Sequence, residues 1–121
     1  MWEYQQHDGE LLRGGMHQGW GYSGAGVGKN NPEMQYVHDV GPIPRGLWVI
    51  GGPPTDTLVH GPYVLTLTPT VNVEVHGRVG FLIHGDSIVA PGTASLGCVV
   101  LARFLRQMIW NSDDREFMVE I

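Results

Sequence analysis

The sequence predicts a mainly β domain of the α+β class, and three observations carry the prediction. Eighteen glycines and eight prolines punctuate the 121 residues, clustering in turns between short apolar runs. Several of those runs alternate apolar and polar residues, the period of a half-buried strand. One stretch only, beginning at Leu101, changes to helical spacing. The length suits one domain with its own core, spanning residues 1–121, and no repeat or linker divides it.

The first segment, "MWEYQQHDGELLRGGMHQGWGYSG", reads as short strands joined by turns at Asp8-Gly9 and Gly14-Gly15, dipeptides suited to tight hairpins. "GAGVGKNNPEMQYVHDVGPIPRG" follows without any sustained period and is expected to be a long ordered loop, a kind that often serves function. Its glycines resemble a phosphate-binding loop only superficially, because no Ser or Thr follows Gly28-Lys29 and no apolar strand leads in. From Leu47 the pattern is β: "LWVIG", "YVLTLTP" and "VNVEV", the last with Val71, Val73 and Val75 on one face. "VGFLIH" lacks alternation, as in a strand covered on both faces, and puts His84 at the end of a central strand. Leu101, Phe104, Leu105, Met108 and Ile109 then form a helical stripe that stops near Asn111. "FMVEI" closes the chain as a strand with Phe117, Val119 and Ile121 inward.

The net charge of −5 and the lack of any basic block exclude nucleic acid and anionic membranes as obvious partners. No apolar run approaches the roughly 18 residues of a membrane span. The opening "MWEYQQHDGELL" lacks the basic and apolar regions of a secretory signal, so synthesis in the cytoplasm is expected. A single cysteine rules out an intramolecular disulfide and leaves one free thiol to explain.

That thiol lies in "HGDSIVAPGTASLGCVV". A lone Cys is commonly a small buried hydrophobe. The setting of Cys98 argues otherwise: Gly97 precedes it and a helix is expected directly after it, so helix-start amides would face the sulfur, lower its pKa and bind an oxyanion. A nucleophilic thiol needs a base, and His84 is the candidate, with a histidine merely satisfied by backbone as the plain alternative. Asp86 would orient the imidazole through its other nitrogen, or Asp86 and Ser87 would simply cap the turn. No cofactor is called for, and the six histidines show no metal-ligand spacing, which leaves a zinc hydrolase as a poor fit. The order His before Cys disfavours papain-like enzymes.

Taken together, "GYSGAGVGKNNPEM", "GPIPRG", "GPYVLTLTP" and "GFLIHGDSIVAPGTASLGC" resemble L,D-transpeptidase catalytic domains, and most closely the related toxins that type VI secretion systems deliver into competing bacteria. The resemblance covers roughly residues 2 to 120. It implies a mixed β-sandwich with a helix after the nucleophile. It also implies Cys98 as nucleophile, His84 as general base, and Ser95 and Gly97 as shapers of the nucleophile loop. Leu96 stands where most such domains have a second histidine, and Val100 where they often have Arg or Asn. Further candidates for orienting or binding substrate are Arg78, His60 and Tyr22; Arg45 and Arg103 could likewise replace a lost anion contact, although a solvated surface charge is the commoner fate of such residues. His76, like His60, lies near the matching segments.

The implied substrate is a peptidoglycan stem peptide, attacked at the L-centre of its third residue, a diamino acid such as diaminopimelate. Water, a free D-amino acid or a second stem would resolve the thioacyl-enzyme; hydrolysis and exchange are expected above crosslinking in so small a chain. Delivery would place the protein in a neighbour's periplasm, with a secretion-apparatus carrier and a periplasmic immunity protein as partners. A phage or housekeeping wall enzyme, a sortase-like transpeptidase using His60 with Arg103 or Arg106, and a non-catalytic wall-binding domain with an inert Cys98 are the alternatives.

Overall fold

The computed structural model describes residues 1–121. The N-terminal meander forms as expected: β1 (Trp2–Gln5), β2 (Glu10–Arg13) and β3 (Met16–Trp20) pair in antiparallel order, with turns at Asp8-Gly9 and Gly14-Gly15. β4 (Tyr22–Ser23) follows after one residue. Residues 24–45 form a loop stiffened by two short 3-10 turns, Gly26–Gly28 and Pro32–Met34. β5 (Gly46–Thr57) and β6 (Gly61–Pro69) make the longest hairpin, β7 (Leu82–His84) and β8 (Val99–Val100) are short, α1 covers Arg103–Asn111, and β9 (Glu116–Glu120) ends the fold.

All nine strands belong to one mixed sheet, ordered β3-β2-β1-β9-β5-β6-β7-β8-β4, as the expected mainly β class requires. β3 and β4 occupy opposite edges of that order yet are separated in sequence by Gly21 alone. The sheet therefore curls until its two edges meet. Gly21 permits the join, because a Cβ there would fall 2.0 Å from Val100 O. Inside the curl sit Trp2, Tyr4, Trp48, Leu65, Ile83, Val99 and Phe117, each essentially without solvent contact. Trp48 anchors them: its ring meets Phe81 edge-on at 4.9 Å, and its indole N–H donates to Pro44 O at 2.9 Å. Burying such a side chain contributes about 3 kcal/mol.

Three local expectations are corrected. "VNVEV" is not a strand: Val73 N donates back to Thr70 O and Arg78 N to Val75 O, so the segment turns. Val71 is fully exposed, while Val73 and Val75 pack against the core from outside the ladder. Alternation placed two of the three valines against the core, and no neighbouring strand pairs with the segment. The run "VGFLIH" is strand only over its last three residues, with Val79 in solvent. On α1 the buried stripe is Leu105, Arg106 and Ile109, with Leu101 just ahead of it; Phe104 and Met108 are exposed, as is Ile121 after β9. α1 packs on β6 and β7 along that stripe. At nine residues it is too short to cross a membrane.

Candidate active site

β7 and β8 run parallel, with Ile83 beside Val99 and His84 beside Val100. Ile83 and Val99 are both fully buried in the core. Side chains alternate across a strand, so His84 and Cys98, which flank that pair, turn to the opposite face. Both line one cavity of about 1010 Å³, together with His60, Arg78 and Arg106.

His84 is 1% exposed. Its Nδ1 lies 2.8 Å from Gly85 O, and a carbonyl only accepts, so Nδ1 carries the proton and Nε2 the lone pair. Nε2 is buried with no hydrogen-bond partner. Burial pushes the imidazole pKa below the ordinary histidine value, helped by His60 and Arg106 and opposed by the Gly85 bond. The ring is therefore neutral at neutral pH, with its basic nitrogen free. His60 stacks on it at 4.5 Å between centroids and 30° between planes.

Cys98 is 9% exposed, and its Sγ lies 3.5 Å from Gly80 O. No hydrogen bond joins it to His84. Burial raises the thiol pKa, against the smaller lowering effects of the Leu82 amide and Arg78. This corrects the expected helix-start activation. Val99 and Val100 intervene as β8, and α1 begins only at Arg103, so its amides do not face the sulfur.

Ser95 shapes the loop from within. Fully buried, its Oγ donates to Cys98 O at 2.6 Å and accepts from Gly24 N at 2.9 Å and Gly97 N at 3.1 Å. The Gly97 N–H is thereby committed to Ser95, which shapes the nucleophile loop and leaves that amide no oxyanion to bind. Gly97 itself adopts φ +136°, and a Cβ would come 2.2 Å from Arg78 Nη2. Ser23 Oγ donates to Gly97 O at 3.1 Å and accepts from Ile43 N, tying the long loop to the nucleophile loop. Gly24, Gly28 and Gly41 of that long loop approach main-chain carbonyls, with a Cβ at Gly28 falling 2.1 Å from Val40 O, which accounts for these three glycines without a phosphate.

Arg78 is not the solvated charge that was favoured for it. It is 5% exposed and donates to Gln35 O, Pro42 O and Gly41 O at 2.6 to 2.9 Å. Asp86 does not orient His84, since Gly85 O holds Nδ1. Its carboxylate instead accepts from Tyr22 OH at 2.6 Å and from the amides of Ser87 and Gly92, which hold its pKa below the usual carboxylate value despite desolvation. Tyr22 OH also accepts from Ala94 N, and its own pKa is pushed up to about 12, chiefly by burial. Tyr22, Asp86 and Ser87 thus brace the 85–95 loop. Arg45 lies outside the cavity, Arg103 at its rim, and His76 outside it, while His38 contributes to the wall.

Arg106 is the residue that sequence reasoning raised only through the sortase-like alternative. It is 4% exposed, donates through Nη1 to Pro62 O at 2.7 Å and Tyr63 O at 3.0 Å, and leaves Nε without a partner. No three His, Cys, Asp or Glu side chains converge as a metal site would require. A helix register that buries Leu105 and Ile109 also buries position 106, which was the available signal.

A family model described as the Tlde1 domain matches residues 17–116. No curated protein and no solved structure matches the chain. The matched span takes in β4 to β8, the long loop, the cavity and α1, hence Cys98, His84 and every residue that braces them. The chain therefore belongs to the Tlde1 domain family of type VI secretion effectors.

Proposed function

We propose that this effector is a cysteine enzyme that cuts peptidoglycan stem peptides as an L,D-carboxypeptidase and exchanges their terminal D-amino acid. The observation that carries the reading is the unpartnered, buried Nε2 of a neutral His84, a residue that lines the same cavity as the only thiol. His84 takes the Cys98 proton as the sulfur attacks the carbonyl carbon at the L-centre of the third stem residue. The tetrahedral intermediate collapses with cleavage of the C–N bond, and the imidazolium returns its proton to the departing amine. A thioester remains. Water, deprotonated by His84, releases the shortened stem and restores the thiol; the amine of a free D-amino acid gives exchange.

The activating step here is proton transfer at the moment of attack, because burial favours the neutral thiol over a standing thiolate. Removing terminal residues from donor stems weakens a wall under construction, which suits an antibacterial effector acting in a target periplasm. A periplasmic immunity protein and a secretion carrier are the partners this implies. The raised thiol pKa favours one rival, a wall-binding module whose Cys98 is inert.

The purified protein, incubated with disaccharide tetrapeptides and followed by mass spectrometry, decides between them. Loss of the terminal D-alanine, abolished in both Cys98→Ala and His84→Ala, is expected. Undiminished release by Cys98→Ala would overturn the mechanism. Residues 1–121 directed to the periplasm by a fused export signal should be toxic, and equal toxicity of the same residues held in the cytoplasm would argue against a periplasmic target.

A further inference from the structure

Only seven lysines and arginines occur in the chain, and three of them, Arg78, Arg103 and Arg106, line the cavity of a protein with net charge −5. None of the three enters an ion pair; the five in the molecule use other groups. Arg78 spends its guanidinium on three main-chain carbonyls. Arg106 differs. Its Nη1 is used on Pro62 O and Tyr63 O, its Nε is buried and unpartnered, and its Nη2 makes no hydrogen bond. That Nη2 lies over Gly85, 2.9 Å from where a Cβ would stand, immediately beyond His84. A second cation, Arg103, acts on Arg106 electrostatically and is exposed at the rim, its guanidinium 5.4 Å above the Tyr63 ring.

The cavity carboxylates do not answer this charge. Asp86 is engaged by Tyr22, Ser87 and Gly92, and Asp39 acts on Arg78. Burying a cation without a counter-ion costs several kcal/mol, and the buried Arg106 with a second, exposed cation beside it on one cavity creates a ready place for an anion.

We infer that Arg106, backed by Arg103, forms a carboxylate subsite that holds the α-carboxylate of the leaving amino acid beside His84. The inference rests on the carboxypeptidase reading and adds what that reading lacks, a reason for cutting only at a chain end. In an α-amino acid the carboxyl carbon lies about 2.5 Å from the amine nitrogen. A base that hands its proton to the departing amine therefore has that residue's carboxyl group within one more hydrogen-bond length. In a terminal residue the group is an anion; in an internal one it is a neutral amide. Arg106 on the far side of His84 and Gly85 distinguishes the two.

The test compares a stem tetrapeptide bearing a free terminal carboxylate with the same peptide as its C-terminal amide. Binding of both to the Cys98→Ala protein is measured by calorimetry, so that no turnover is needed. A charge-assisted hydrogen bond predicts that the acid binds about 10- to 100-fold more tightly than the amide. Arg106→Gln should abolish that preference, and the exposed Arg103→Gln should reduce it several-fold. A merely structural Arg106 would weaken acid and amide alike and leave their ratio unchanged.

Equal affinity for acid and amide in Cys98→Ala overturns the subsite. So does a ratio unchanged in folded Arg106→Gln or, if that protein does not fold, in Arg103→Gln. The two readings fail separately: acid preference through Arg106 in a protein whose wild type cleaves nothing sinks the carboxypeptidase reading alone, whereas equal cleavage of acid and amide sinks the subsite alone.

Discussion

Replacing Ser95 by alanine removes one oxygen and orphans three main-chain groups at once. The Cys98 carbonyl loses a 2.6 Å donor, and the amides of Gly24 and Gly97 lose an acceptor. Ser95 is fully buried, so water does not replace the hydroxyl without rearrangement. Leaving a buried group unpaired costs about 1 to 3 kcal/mol. Taking the lower figure for each of the three, because one small shift relieves them together, gives about 3 kcal/mol. With a urea slope of about 1.5 kcal/mol/M, the unfolding midpoint should fall by about 2 M. Thiol chemistry should change as well, since the freed carbonyl belongs to Cys98: alkylation of the folded variant should become faster and less dependent on pH. Urea denaturation followed by tryptophan fluorescence reads the first effect, and iodoacetamide kinetics the second. A midpoint shift below about 0.5 M, with wild-type alkylation, would refute the view that Ser95 holds the nucleophile loop.

Three further predictions follow from the same contacts. Gly97→Ala combines a left-handed φ with a Cβ directed at Arg78, and should destabilise the fold by about 2 kcal/mol or more; an unchanged melting temperature would show that Arg78 yields freely. Wild-type alkylation should keep rising through neutral into alkaline pH, because burial holds the Cys98 proton on and the His84 proton off; a rate already level at about pH 6 would indicate a preformed thiolate. The depressed His84 pKa also sets a stability slope. Below the ordinary value of about 6.5, unfolded chains bind a proton at His84 that the folded state refuses, so stability falls on acidification until the folded pKa is passed. His84→Gln should flatten that slope, and an identical pH profile in the variant would contradict it.

The sequence was legible where chemistry is local. His84 at the end of a strand and Cys98 in the loop that follows could be paired from "LIH" and "SLGC", and the cavity does receive both. Asp8-Gly9 and Gly14-Gly15 announced their turns for the same reason. What escaped depended on partners distant along the chain. Arg106 is tolerated inside because the carbonyls of Pro62 and Tyr63, over forty residues earlier, accept its protons. Helical spacing alone therefore assigned its face to Phe104 and Met108. Asp86 suited the third place of a triad by position, but Tyr22, sixty-four residues upstream, claims its carboxylate. The β-branched pair Val99-Val100 did carry a local signal of strand, and reading it would have kept the helix start away from the sulfur. The order of the nine strands in the sheet could not be read at all, because it depends on which distant strands pair.

The pairing of β1 with β9 near the middle of that sheet has a kinetic consequence. Trp2 lies beside Phe117 and Tyr4 beside Val119, so the first and last strands are neighbours and the ladder between them is parallel. Contacts that span almost the whole chain make folding slow, on the order of milliseconds to seconds. During synthesis, β1 and β2 wait for β9 to emerge. Arrival of β9, more than any ligand, is then the event that shuts the core and fixes the cavity walls, and a chain halted before residue 116 should show neither protected amides nor a slow thiol.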